Sequence, residues 1–332
     1  MVSGLVAVLG GGAWGTALAN CLATTGQQVC LWGRDELQMS EIAVSRRNSR
    51  HLPGIALAEA ITPTSDLADI RAARVVLIAV PTQAIRAVGA LAAPFIRAGV
   101  PVVACAKGVE IGTGSFVCEV LAESVVKSPI GILSGPSFAA DVARGLPTAV
   151  TLAAADPALA ARLAHGLSSR TFRVYSSSDV RGVEIGGATK NVLAIACGIA
   201  SGAGLGASAN AALIARGFAE LIRIGVHYGA KPETLTGLSG LGDLVLTCTS
   251  SQSRNFSFGH ALGEGVPLES VMRHGTLVEG AYTAQILVEA AKRNRIDMPI
   301  CEGVAEILAG RVSAKDAIAN LMARPPRPEM RG

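Results

Sequence analysis

Leu5-Val-Ala-Val-Leu9, then Gly10-Gly-Gly-Ala-Trp-Gly15, then Thr16-Ala-Leu-Ala-Asn-Cys-Leu-Ala23: this opening stretch decides the fold. A short run of branched apolar residues predicts a buried strand, and the alanine-rich run predicts a helix. Between them stands Gly-x-Gly-x-x-Gly. Gly10 permits the tight turn, Gly12 lets backbone approach a pyrophosphate, and Gly15 lets helix and strand pack closely. The helix N-terminus then offers free N–H groups and a positive dipole end to phosphates. A glycine triplet alone is weak evidence, and a ligand-free turn is the competing reading. The strand before it and the helix after it favour a dinucleotide site.

Working outward, further strands are expected at Gln28–Trp32, Arg74–Val80, Pro101–Ala106, Gly131–Leu133, Thr148–Ala153 and Phe172–Tyr175. Several are continuous apolar runs, as in Val75-Val76-Leu77-Ile78-Ala79-Val80, which suits strands covered on both faces. Helical connections such as Thr82–Leu91 and Pro157–Leu167 make the repeating unit βαβ. Asp156-Pro157 reads as a cap followed by proline at the first helical position. After Ser178 the strand signals stop. Asp179–Ala200, Ser208–Tyr228, Val278–Arg293 and Met298–Leu308 read as helices, broken by Gly-rich turns such as Gly237–Gly242. The expected fold class is an α/β Rossmann-type N-terminal domain with a mostly parallel sheet, followed by an all-α C-terminal substrate domain. The expected boundaries are 1–178 for the dinucleotide domain, 179–323 for the helical domain and 324–332 for a loose tail.

Composition supports this and excludes other classes. Of 332 residues, 50% are hydrophobic but only 4% aromatic, and 38 are glycine, so small residues carry the apolar character. Lys and Arg number 29 against 25 Asp and Glu, a net +4 too dilute for a nucleic-acid footprint. Seven scattered cysteines without Cys-x-x-Cys read as reduced thiols of a cytoplasmic protein. The N-terminus lacks the basic region of a signal peptide. From Asn191 to Ala215 no residue is charged, yet the Gly, Ser and Asn within it favour packed helices over a membrane span. The five histidines show no metal spacing, so no metal site is expected.

Four further places can carry chemistry. The second strand ends Gly33-Arg34-Asp35, where a carboxylate would take the ribose hydroxyl of NAD and an arginine the 2′-phosphate of NADP. Gly33 leaves room and Arg34 supplies a cation, favouring NADP(H), while Asp35 keeps NAD open; a solvated surface Arg34 is the alternative. Lys107 closes the fourth strand, at the end where open α/β sheets bind ligands, and Ser134-Gly-Pro-Ser-Phe-Ala139 follows another. Lys190 stands with Asn191 in a helix otherwise small and apolar, where partial desolvation would lower its pKa toward proton transfer. In Gly240–Asn255, Ser253-Arg254-Asn255 makes a good phosphate clamp, or a cap for the helix Phe256–Gly263, or both. Asp243 could hold the Lys190 ammonium or a hydroxyl.

Taken together these segments resemble the soluble NAD(P)-dependent sn-glycerol-3-phosphate dehydrogenase family of the bacterial biosynthetic type. The matching pieces are Gly10–Ala19, Asn48-x-x-His-Leu-Pro-Gly54, Ala106-Lys-Gly-Val-Glu110, Ser134–Ala139, Lys190-Asn191, Gly240–Asn255 and Val278-Glu279-Gly280, in the family's order along nearly the whole chain. The resemblance implies reduction of dihydroxyacetone phosphate to sn-glycerol 3-phosphate, the phospholipid backbone precursor, at a site between the two domains. It implies Lys190 as general acid/base, and Lys107, Gly135, Ser137, Lys190, Asp243, Ser253, Arg254 and Asn255 as substrate contacts. With the fingerprint's Gly10, Gly12 and Gly15, it implies Ala13, Trp14, Arg34, His51, Lys107, Ala139, Arg254, Val278 and Glu279 at the cofactor. His51 stands where the family often has Tyr, and Ala13 where it often has Ser. NADPH is the favoured cofactor on this reading and NAD a tolerated one; the oligomeric state stays open, a homodimer included. The competing readings are a β-hydroxyacid dehydrogenase, which lacks the Ser-Arg-Asn segment, and a non-catalytic NAD(P)-sensing regulator, for which no helix-turn-helix or basic stripe is apparent.

Overall fold

The computed structural model describes residues 4–273 and 278–325. Its chain divides into two compact units, one of residues 1–188 with 225–243 and one of 189–224 with 244–332. The strands are β1 (Leu5–Leu9), β2 (Val29–Trp32), β3 (Ile61–Thr64), β4 (Ala73–Ile78), β5 (Val102–Ala104), β6 (Ile130–Ser134), β7 (Thr148–Ala154) and β8 (Phe172–Ser177). The helices among them are α1 (Ala13–Ala23), α2 (Glu36–Ser45), α3 (Ile85–Ala92), α4 (Val117–Ser124), α5 (Ala139–Ala143) and α6 (Pro157–Leu167). Then come α7 (Val180–Gly202), α8 (Gly206–His227), α9 (Pro232–Thr236), α10 (Asp243–Cys248), α11 (Arg254–Gly263), α12 (Leu268–Arg273), α13 (Glu279–Arg293), α14 (Pro299–Leu308) and α15 (Ala314–Met322).

All eight strands form one sheet in the order β3-β2-β1-β4-β5-β6-β7-β8. Every pairing is parallel except β6 with β7. The order reverses direction between β1 and β4, the switch point outside which such sheets bind ligands. Alternating side chains build two apolar layers: Val6 and Val8 of β1 join Leu31, Leu18 and Leu163 on one face. Ala7 and Leu9 join Ile78, Ile85 and Leu121 on the other. The expected mostly parallel sheet is therefore present, and strands stop at Ser177. Sequence reading missed β3, whose Ile-Thr-Pro-Thr interrupts the strand pattern with Pro63. An edge strand tolerates that residue, because the missing N–H is not needed by a further neighbour.

In the helical unit, α7 and α11 approach backbone to backbone. A Cβ on Gly198 would lie 2.8 Å from the His260 nitrogen, and one on Gly259 would lie 2.9 Å from the Ile195 carbonyl carbon. Gly202 and Gly263 repeat the arrangement one turn along each helix, so four glycines make the crossing. Helix α7 is the one helix among the described residues long and apolar enough to span a bilayer, and 94% of its most apolar window is buried inside the protein. The uncharged stretch is broken between Gly202 and Gly206, so no single helix runs through it. His274 and residues 326–332 of the expected tail lie outside the described residues; Arg324, where that tail was to begin, pairs with Asp297 at 2.9 Å.

Candidate active site

The glycine loop is built as its spacing requires. Gly10 has φ +136°, and a Cβ there would stand 2.7 Å from the Ala79 carbonyl oxygen. A Cβ on Gly15 would press into the Gly10 carbonyl, 3.1 Å from its carbon. Beside Gly12, by contrast, nothing lies within 4 Å of where a Cβ would be. Two glycines thus serve the fold and the middle one faces open space at the start of α1. That is room a pyrophosphate can take, so the residues present fit a dinucleotide. Ala13 and Trp14 open α1, and Trp14 and Ala139 both pack half-buried against the core layer beneath them.

At the end of β2, Arg34 is exposed, and the room left by Gly33 is filled by Met39, whose Cε would lie 2.6 Å from a Cβ. Asp35 caps α2, accepting from the Gln38 amide at 3.1 Å, and pairs with Arg50 at 3.2 Å. The Gln38 amide, with Arg50 assisting, holds its carboxyl below the usual value. His51 is exposed, and its amide donates to Asn48 Oδ1 at 3.3 Å.

Lys107 follows β5. Its Nζ donates to the Gly135 carbonyl at 2.9 Å and to Asp243 Oδ2 at 2.7 Å, with the Asp243 side chain 1% exposed. Gly135 has φ +142°, and a Cβ would stand 2.9 Å from Val150 Cα, so the turn after β6 needs glycine. Ser137 Oγ donates to that same Gly135 carbonyl at 2.9 Å. Ser134 Oγ is buried with no hydrogen-bond partner among the described residues, and a Cβ on Gly187 would meet both it and the Lys107 stem. The first turns of α7 are anchored in this unit. Asp179 accepts from Gly182 N at 2.9 Å and Lys231 N at 2.8 Å, and the buried Glu184 accepts from Cys118 N at 2.8 Å. Burial raises the Glu184 carboxyl against that hydrogen bond.

The helical unit holds the remaining residues. Lys190 is 7% exposed, and its Nζ donates to Thr247 Oγ1 at 2.8 Å. Asn255 Nδ2 donates to Asn191 Oδ1 at 3.1 Å while its Oδ1 accepts from Gly280 N at 3.0 Å, so one amide braces α7, α11 and α13. Ser253 caps α11, accepting from Phe256 N at 3.2 Å. The capping alternative therefore holds for Ser253, and Arg254 becomes the first residue of α11. Val278, buried, precedes α13, and Glu279 opens it.

Sequence reading gives no individual role to Asn48, Arg50 or Gln38, and takes Ser134 only as part of the turn after its strand. The Asn48–Gly54 motif was in view, but nothing in its residue types announces that Asn48 reaches Gly11 and Thr16. Among the described residues no group of three or more His, Cys, Asp or Glu is placed to hold a metal.

A sheet reversing at β1 and β4, a glycine loop open beside Gly12, and a helical unit carrying a buried lysine define a dinucleotide-dependent dehydrogenase. Models of the NAD-dependent glycerol-3-phosphate dehydrogenase N-terminus and C-terminus match residues 5–160 and 179–319. The chain belongs to that family. It is 57% identical to the glycerol-3-phosphate dehydrogenase [NAD(P)+] of Azorhizobium caulinodans, covering 98% of each chain, and 58% identical to that of a Bradyrhizobium species, covering 96% of each. The crystal structure of glycerol-3-phosphate dehydrogenase from Coxiella burnetii superimposes with a TM-score of 0.91 at 40% identity, covering 97% of this chain and 99% of that one.

Proposed function

We propose that this enzyme reduces dihydroxyacetone phosphate to sn-glycerol 3-phosphate, the backbone of glycerophospholipids, with NADPH favoured, NADH accepted, and Lys190 as acid/base. The observation that carries the reading is Lys190 itself, an ammonium 7% exposed on an apolar helix and aimed by Thr247 at 2.8 Å. Bound NAD(P)H supplies a hydride to the carbonyl carbon of the ketone. Lys190 gives a proton to the oxygen that becomes the hydroxyl, and takes one back in the reverse direction.

The other residues bind and orient. Lys107, held by Asp243 and the Gly135 carbonyl, supplies a fixed cation toward developing negative charge. Arg254 forks onto the substrate phosphate from the start of α11, whose first turn Ser253 caps, while Asn255 keeps Asn191 in place. Gripping the remote phosphate orients the carbonyl. Gly135 and Ser137 line the turn beside Lys107. Toward the cofactor, Gly12, Ala13 and Trp14 take the pyrophosphate in the loop that Gly10 and Gly15 shape, and Arg34 and His51 take the adenosine end. Lys107, Ala139, Arg254, Val278 and Glu279 take the rest. Residues 1–178 form the dinucleotide domain and 179–323 the substrate domain, a division supported by the start of the C-terminal family match at residue 179. Residues 179–188 and 225–243 nonetheless pack within the first compact unit. All seven cysteines are free and buried, and burial pushes the Cys30 and Cys105 thiols up to about 12. Such a set suits the reducing cytoplasm.

The test follows NADPH absorbance with dihydroxyacetone phosphate and, in parallel, with short 2-oxo acids. Oxidation with the phosphorylated ketone alone is expected. Lys190→Ala should abolish turnover while NADPH binding, measured by tryptophan fluorescence, stays nearly intact. Equal loss of both would show that Lys190 is structural.

A further inference from the structure

We propose that Arg50 is a specificity-determining residue for the cofactor's 2′-phosphate, held over the end of β2 by Asp35 and by the buried amide of Asn48. The inference rests on the NADPH reading above and names how this chain achieves it. In an NAD site the carboxylate after the second strand is free to accept from the ribose hydroxyls. Here one Asp35 oxygen accepts from the Gln38 amide at 3.1 Å, and the other takes Arg50 Nη1 at 3.2 Å. The carboxylate is thus a helix cap and a tether. The arginine it tethers stays two-thirds exposed, with the rest of its guanidinium N–H groups turned to no other described residue.

The loop that carries Arg50 is pinned to the nucleotide loop itself. Asn48 is 1% exposed. Its Nδ2 donates to the Gly11 carbonyl at 2.9 Å and to Thr16 Oγ1 at 2.7 Å, and its Oδ1 accepts from His51 N at 3.3 Å. Gln38, whose amide Asp35 caps, donates its own Nε2 to the same Gly11 carbonyl at 2.8 Å. One buried amide therefore ties the glycine loop, the start of α1 and the Arg50 segment together, while Gln38 adds α2. Arg34 precedes Asp35 in the chain and is exposed, and Arg50 pairs with Asp35, so the strand end carries two arginines. A phosphate monoester dianion is what a forked, pre-positioned guanidinium recognises, and a ribose hydroxyl offers it far less. With the dianion bound, Arg50 bridges it to Asp35, so the carboxylate is never left facing the phosphate alone.

The test is calorimetric binding of adenosine 2′,5′-bisphosphate and of AMP to the full chain, with no turnover involved. The wild-type chain should bind the bisphosphate more tightly. Arg50→Gln should weaken the bisphosphate by about tenfold to a hundredfold, the range for a charge-assisted contact, and AMP by less than about twofold. Arg47→Gln removes an exposed cation from the same loop and should change neither ligand. Arg50→Gln with an unchanged preference for the bisphosphate overturns the proposal and leaves the NADPH reading standing. A wild-type chain that binds both ligands equally overturns the NADPH reading itself.

Discussion

Replacing Gly198 by alanine tests whether backbone contact between α7 and α11 is what the helical unit is built on. The new Cβ would lie 2.8 Å from the His260 nitrogen and closer still to the Phe256 carbonyl, against the 3.4 Å at which ordinary contact begins. Both neighbours are backbone, so no flexible side chain can give way. Overpacking of this kind costs about 3 kcal/mol, the upper end of its usual range. Alanine's helix propensity returns about 1 kcal/mol, leaving a net loss of about 2 kcal/mol. Gly303 in α14 supplies the internal control, because the nearest atom to a Cβ there is Leu321 Cδ1 at 3.9 Å. Gly303→Ala should therefore keep the propensity gain and stabilise by roughly 0.5–1 kcal/mol. Thermal unfolding should place Gly198→Ala about 4–8 °C below the wild type and Gly303→Ala about 2–3 °C above it. The clash also bears on function, since the Asn191–Asn255 hydrogen bond at 3.1 Å depends on the same two helices. Gly198→Ala should lose kcat/KM as well as stability. Equal Tm shifts of the same sign in the two variants would refute the packing argument.

Two further outcomes follow from buried charges. Asp243→Ala removes the carboxylate facing Lys107 at 2.7 Å; a stability loss on the order of 3 kcal/mol in denaturant titration and a raised KM for the ketone are expected. An unchanged midpoint would mean that the pair contributes nothing. Glu220 accepts from Ile300 N at 2.7 Å and Cys301 N at 3.1 Å at the start of α14, and burial pushes its carboxyl up to about 7. Because the folded chain then holds the proton more tightly than the unfolded one, this contribution is present at acid pH and lost as pH rises through about 7. The stability difference between wild type and Glu220→Gln should thus shrink by about 2–3 kcal/mol from about pH 5 to pH 8, and a flat difference would count against the assignment.

Much of the first unit was legible because its signals are local. The β1–turn–α1 fingerprint, the apolar runs of parallel strands and the Asp156-Pro157 helix start all appear where their residues put them. Residues whose roles depend on distant partners were harder to read. Ser253 can be phosphate ligand, helix cap or both on sequence alone, and the cap becomes visible only when Phe256 N is seen against it. Asp35 reads from sequence as a candidate ribose acceptor, and only the fold shows that it also caps α2 and pairs with Arg50.

By itself the sequence determined the class of fold, the glycine loop and the identity of the lysines and arginines, since periodicity and turn chemistry act over a few neighbouring residues. Only the tertiary structure decided what those groups face. It set Lys107 between Gly135 and Asp243, Lys190 on Thr247, and the Arg50 loop on Gly11 through Asn48. Hydrogen bonds and close approach are set by distance in space, and residues far apart along the chain meet only after strands and helices have packed. The abundant glycine shows both sides of this. Gly10 and Gly15 could be read from their motif, whereas Gly198 and Gly259 gain their meaning from the helix each one touches.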